Sequence, residues 1–495
     1  MTTEREYQGW QGRNRKFRRK GSPNIASLLI LALFTVSAMT VWKEHREEIN
    51  LALNNLLKSY QGADSEELSQ ANQNQREAIA PSKPAKNSLG ERNLQPGASN
   101  KISKLNFALI DKKAASLKYK GNSVSELASI LGQHAKTEAE KARIIYTWIA
   151  YNIDYDVPAY LRGEYGDVSA KGVLQSRKGV CSGYANLYKA LANKMGLSAV
   201  VINGYAKGAS YSVGDETDIN HAWNGVLINK QWYLLDATWG AGTTNNNKFN
   251  RDFNPFYFAT PPEQFIYNHF PEERKWQLLT QAYSKAQFDN SPQISSSFFK
   301  QGLRLISHNT HTIQADGSAE IILGANKDTI ALSRLKRGSQ KLDRNYSIVQ
   351  QRDGQLIVRA TFPEPGNYEL EIFAKPRNKE GLYPQVVTYK VIAQGTGQEF
   401  PRTYAQFAEY NVELQTPVQK YLPSNKSVNF KLKVPNAISV QVIDKSSNDW
   451  TQLTADSNDV FGGKAFVSSG KVHVVAQFPG DERYWSLVEY IAVDN

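Results

Sequence analysis

Arg177-Lys-Gly-Val-Cys-Ser-Gly-Tyr-Ala-Asn-Leu-Tyr188 is the stretch on which the fold of this chain turns. After Cys181, the residues Tyr184, Leu187, Tyr188, Leu191, Ala192 and Met195 recur at helical spacing until Gly196 stops the run. A helix therefore opens at the thiol, where unpaired backbone N–H groups and the macrodipole favour the thiolate, and Arg177 and Lys178 push the same way if they face it. Cys181 is the single cysteine of 495 residues. No intramolecular disulfide can form, and no metal site can draw on two thiolates. A free cysteine by itself commonly packs as a small hydrophobe, so its reading depends on what else the chain supplies.

Forty residues on, His221-Ala-Trp-Asn-Gly-Val-Leu-Ile228 and Gln231-Trp-Tyr-Leu-Leu-Asp-Ala-Thr238 read as two strands joined by the tight turn Asn229-Lys230. With Ile228 opposite Gln231, His221 falls opposite Thr238. Side chains alternate, so Asp236 shares the face of His221 as its diagonal neighbour. Diagonal pairs stand about 7 to 8 Å apart at the backbone, a gap that an imidazole and a carboxylate close with a hydrogen bond. Cys181, His221 and Asp236 then form a nucleophile, a base and a group that orients the base. Met singly, His221 reads as a satisfied core histidine and Asp236 as a turn or capping acid.

Upstream, Thr137-Glu-Ala-Glu140 has the form of a helix start with a reciprocal cap, and Ala142, Ile145, Tyr146, Ile149 and Ile153 follow as one apolar stripe. Taken in order, Gly179-Val-Cys-Ser-Gly-Tyr-Ala185, His221-Ala-Trp223 and Asp236-Ala-Thr-Trp239 resemble the transglutaminase-like superfamily. Phe256-Tyr-Phe258, Pro261-Pro-Glu-Gln-Phe265, His269-Phe-Pro271 and Trp276-Gln-Leu-Leu279 are similar to its kyphoscoliosis peptidase and cytokinesis-protein branch. The resemblance implies an α+β, papain-like core that forms a thioester at cysteine with a protein or peptide amide. Transfer to water makes a peptidase or amide hydrolase, and transfer to a lysine makes a protein crosslinker. No cofactor follows from this reading, and the sequence holds no EF-hand loop, phosphate-binding glycine loop or zinc motif. Among the superfamily's members are some that have lost catalytic residues and act as scaffolds. The tetrahedral intermediate needs preorganised donors. The Cys181 N–H is the first and Gln175 a candidate second, while Trp223 and Trp239 read as cleft walls.

The chain is too long for one core. Ile25 to Trp42 is an uncharged run of 18 residues, long enough at about 1.5 Å per residue to cross a hydrocarbon layer. The basic cluster Arg13, Arg15, Lys16, Arg18, Arg19 and Lys20 precedes it and supplies much of the net charge of +12. A single-pass helix with a cytoplasmic amino terminus and extracytoplasmic domains follows. The competing reading is a signal peptide cleaved after Val36-Ser37-Ala38, which leaves a secreted protein. No motif for nucleic acid is present. Residues 61–100, rich in Gln, Asn, Ser, Ala and Pro, read as a tether that follows a short helix.

Beyond Ser284 short alternating runs separated by turn residues signal all-β sandwiches. Gly354 to Pro363 and Gly470 to Pro479 share their glycine, apolar alternation and terminal Phe-Pro, which argues for a duplicated Ig-like module. The expected organisation is a basic tail (1–24), a transmembrane helix (25–42), a helix and linker (43–103), a catalytic domain (104–284) and two β-modules (285–395 and 396–495). The modules are candidates for holding envelope protein partners. The reading of a different class is a noncatalytic envelope adhesion or assembly scaffold on the same fold.

Overall fold

Thr137 opens the first long helix of the core, α1 (Glu138–Asn152), by accepting the Glu140 N–H at 3.1 Å, while the Glu140 carboxylate takes the Thr137 N–H at 3.0 Å. The computed structural model describes residues 102, 104–208, 211–212 and 219–494. The expected amino-terminal helix, tether and membrane span lie outside them. Among the described residues no helix is long and apolar enough to cross a membrane.

The apolar stripe expected along α1 is wider than its spacing suggests, because every residue from Ala142 to Ala150 is buried. Arg143 enters that interior only by pairing through Nε with Asp111 at 2.8 Å. Such a charge is tolerated in a core when it is paired and hydrogen-bonded.

A five-stranded antiparallel sheet lies against the helices: β1 (Ala199–Ala206), β2 (His221–Ile228), β3 (Gln231–Leu235), β4 (Phe258–Thr260) and β5 (His269–Pro271), in the order β4-β3-β2-β1-β5. Asn229 and Lys230 both take positive φ, at 49° and 66°, as a two-residue hairpin turn requires, and Ile228 pairs with Gln231 as counted. The second strand is shorter than expected. It ends at Leu235 because Asp236 turns the chain into α4 (Ala237–Ala241), which leaves Thr238 in a helix.

Two more helices complete the frame, α2 (Ala170–Ser176) and α3 (Cys181–Lys194). They pack so closely that a Cβ on Gly183 would stand 2.7 Å from Val173 Cγ2. The glycine two residues after Cys181 is therefore a contact requirement.

After the core in the chain come two β-sandwiches with hydrophobic clusters of their own. Among the described residues each pairs a six-stranded with a four-stranded sheet, and the strand orders are the same. The duplication is real, but the expected alignment joined the wrong strands. Gln355–Thr361 lies in the smaller sheet of the first sandwich, between Ser318–Gly324 and Ser347–Arg352. Gly470–Gln477 lies in the larger sheet of the second, and its counterpart there is Gly366–Pro376. Any inward-facing strand carries that alternation, so it does not identify a position. A better signature is the short helix after the first strand of each module, α5 (Ser296–Lys300) and α6 (Ala405–Glu409). Phe298 and Phe407 are buried there, and their carbonyls accept the N–H of Leu303 and of Val412 across a residue of positive φ, Gly302 in one and Asn411 in the other.

Candidate active site

Cys181 is the first residue of α3, with Val180 as its N-cap in extended conformation and no side chain capping the free N–H groups. The approach is fixed by a short parallel pairing of Asp154-Tyr155 with Lys178-Gly179. The first turn of α3 is bolted to the sheet by Asn224, whose Nδ2 donates to the Ala185 and Val200 carbonyls, each at 3.0 Å. Cys181 is 1% exposed and packs against Ala185, Ala222 and Val201. Burial pushes the nearby Tyr155 and Tyr165 phenols above their ordinary range.

His221 starts β2 opposite Gly204, where a side chain would meet the Phe270 carbonyl at 2.2 Å and the Trp223 ring at 2.5 Å. Its Nε2 stands 2.7 Å from Asp236 Oδ2, and the ring also hydrogen-bonds Cys181. Since Nε2 is taken by the carboxylate, Nδ1 is the nitrogen left for sulfur. Burial lowers the affinity of this ring for a proton, but the charge and hydrogen bond of Asp236 and the contact with Cys181 outweigh it and push its pKa up to about 10.

Asp236 is fully buried, and it is a capping acid and the partner of His221 at once. Oδ1 accepts the N–H groups of Thr238 at 2.7 Å and Trp239 at 3.0 Å. Oδ2 receives His221 and also His269 Nε2 at 3.0 Å. Burial works against the charge, yet the two histidines hold the carboxyl well below its usual range.

His269 is the participant that the sequence reading missed as a site residue. It lies 33 positions from Asp236. It reaches the site through β5, which pairs with β1 at Ala206, and only that long-range register reveals it. Burial pushes its pKa down to about 4, against the hydrogen bond and charge of Asp236. Asn224, which local pattern gives only as a strand residue, likewise helps to position the start of α3.

The two tryptophans differ in position. Trp223 is buried behind the imidazoles, its ring 6.1 Å from His221 and 5.1 Å from His269. Trp239 is half-buried and covers them, 5.6 Å from His221 and 4.4 Å from His269. Gln175 is exposed on the last turn of α2, and its side chain has no hydrogen bond among the described residues.

His221, Asp236 and His269 bring one ligand atom each within 4.8 Å of one another, a spacing that could hold a metal ion. In the arrangement seen, however, each Asp236 oxygen is engaged by two donors. What remains available to chemistry is the sulfur and the ring beside it, the elements of nucleophilic acyl transfer.

Residues 125–237 match the family model described as the transglutaminase-like superfamily, and residues 285–401 match the one described as KY-like, immunoglobulin-like domain. The kyphoscoliosis peptidase of Mus musculus is 32% identical over 288 residues, 57% of this chain and 42% of that protein. Hillarin of Drosophila melanogaster is 32% identical over 200 residues, 36% of this chain and 24% of its own. Cytokinesis protein 3 of Saccharomyces cerevisiae is 31% identical over 130 residues, covering 25% and 14%. The chain spans about two fifths of the length of the kyphoscoliosis peptidase it matches.

Proposed function

We propose that this chain, which carries a transglutaminase-like domain and stands with the kyphoscoliosis peptidase and the cytokinesis proteins, is a thiol enzyme that forms a thioester at Cys181 with a protein or peptide amide. The observation that carries the proposal is the connected line from the α3 start to His221 and on to Asp236 at 2.7 Å.

In the reaction the Cys181 sulfur adds to the amide carbonyl, forming the S–C bond and placing negative charge on oxygen. The N–H at the start of α3 faces that charge. Collapse breaks the C–N bond, and the amine leaves with the proton that His221 carries. Water then gives a proton to the neutral His221 ring and adds to the thioester, and the acid departs as sulfur regains its charge. A lysine amine in place of water yields a crosslink. The reading is that of an amide hydrolase or protein crosslinker whose Ig-like modules hold protein partners. Ile25 to Trp42 and the basic residues before it support anchoring in a membrane with these domains outside, and cleavage after Ala38 would release them instead.

The test is alkylation of the full chain by iodoacetamide at pH 6 to 9, with His221→Ala as control. The native thiol should react about a hundredfold faster than the variant at pH 6. Equal, slow reaction of both would sink the enzymatic reading. It would leave the scaffold reading, which the 1% exposure of Cys181 favours. A glutamine peptide offered with and without a primary amine then separates hydrolysis from crosslinking.

A further inference from the structure

We infer that His269 is a positioning residue of this site, a neutral donor that occupies the second lone pair of Asp236 Oδ2 and limits how strongly the carboxylate holds the proton of His221. The inference rests on the acyl-transfer reading above.

The hydrogen-bond pattern fixes the tautomer. Among the polar atoms of the described residues, His269 Nε2 has an acceptor at 3.0 Å, and Nδ1 is buried with no partner. A ring with one acceptor keeps its proton on that side. A second proton on Nδ1 would place an unpaired charge among aromatic rings, with Phe265 stacked at 4.0 Å, Trp239 at 4.4 Å and Trp223 at 5.1 Å. The side chain is wholly buried, so bulk solvent does not reach Nδ1. The downward shift of its pKa agrees with this assignment.

The neutral donor has two effects on chemistry. Its N–H joins those of Thr238 and Trp239 and the His221 ring, so the carboxylate has no free rotation and presents Oδ2 to His221 in one orientation. It also draws negative charge toward itself. A carboxylate that accepts one donor fewer is a stronger partner for an imidazolium, so losing His269 makes His221 hold its proton to higher pH. The thioester is opened by neutral His221, which makes its hydrolysis the step that suffers.

Two substitutions separate donation from packing. His269→Phe keeps a flat ring in the aromatic box and removes the donor. His269→Gln keeps an N–H near the position of Nε2. The probe is p-nitrophenyl acetate, which acylates a reactive thiol, with steady-state release of p-nitrophenol followed from pH 6 to 10 on the full chain. The pH–rate profile of His269→Phe should move upward by about one unit, with turnover at pH 8 about tenfold lower. His269→Gln should return the profile to within about a third of a unit of the native one. A His269→Phe profile that superimposes on the native one overturns the inference, and so does a His269→Gln profile shifted as far as that of Phe. Failure of the enzymatic reading has a different signature, since native protein and His221→Ala would then release p-nitrophenol at the same rate whatever stands at position 269.

Discussion

Replacing Asp236 by Asn tests the site at its most constrained atom. The side chain keeps its size, and the amide oxygen can still cap α4 by accepting the Thr238 and Trp239 N–H groups. The NH2 group then takes the place of Oδ2 and meets His221 Nε2 and His269 Nε2, where it donates to both. His221 can comply only by carrying its proton on Nδ1, which faces the sulfur. In that tautomer the ring cannot accept a proton from the nucleophile or from water. His269 must move its own proton to Nδ1, which has no acceptor.

The size of the effect follows from these conflicts. Forcing the wrong tautomer in a nucleophile–His–Asp arrangement costs about ten-thousandfold in turnover, which is about 5.5 kcal/mol of transition-state stabilisation. Breaking a buried pair by removing one partner costs about 3–5 kcal/mol of stability. The pH dependence of that loss has a definite sign. The His221 pKa is raised by folding, so its contribution is complete below about 6.5 and disappears as pH rises through about 10. The Asp236 pKa is depressed by folding, so its contribution is present above about 4 and is lost only as pH falls through the low folded value. The gap between native protein and Asp236→Asn is therefore widest from about pH 4 to 6.5 and narrows toward 10. Urea unfolding at four pH values measures it, and p-nitrophenol release measures turnover. Turnover within tenfold of native, from a variant that remains folded, would refute the assigned roles of Asp236 and His221.

Two further predictions concern the frame around the site. Lys207 is buried, and its Nζ donates to the carbonyls of Phe288 and Ser291 and to the Ser291 hydroxyl at 2.6, 2.7 and 2.9 Å. Burial pushes its pKa down to about 7, against the charge of Asp289. Its unfolded value is about 10.4, so it makes stability rise with pH between the two, by about 1.4 kcal/mol per unit, while His221 lowers stability over nearly the same range. Lys207→Met should uncover that opposing slope, so that urea stability falls between pH 7 and 10. A profile parallel to the native one would contradict the assignment. Gly183→Ala should cost about 1–3 kcal/mol through the clash with Val173 and slow iodoacetamide alkylation of Cys181. Adding Val173→Ala should restore both, as read by thermal melts and alkylation rates, and a double variant no better than the single one would assign the cost elsewhere.

The three residues Cys181, His221 and Asp236 could be brought together on paper because local rules link them. A helix start fixes one, and a two-residue turn fixes the register of the other two. The same kind of rule misled in the β-modules. Alternation of apolar residues followed by Phe-Pro recurs in strands of different sheets, and only the pairing partners of Gln355–Thr361 and Gly470–Gln477 tell them apart. Local pattern states that a residue faces inward, while topology states which interior it faces.

His269 shows where local rules stop. Its neighbours in sequence say only that a short strand or turn carries it. The contact with Asp236 depends on β5 joining the far side of β1, and on α4 beginning where β3 ends. Sequence spacing placed Asp236 on the right face but treated it as a strand residue. That account left one oxygen for His221 and nothing to hold the other. The cap supplies two donors for Oδ1, and His269 supplies the fourth donor to the group. A buried carboxylate needs that many partners to stay charged away from water. An aspartate expected to orient a histidine in a dry interior is thus an incomplete assignment until its remaining lone pairs have been accounted for, and here that accounting leads from Asp236 to His269.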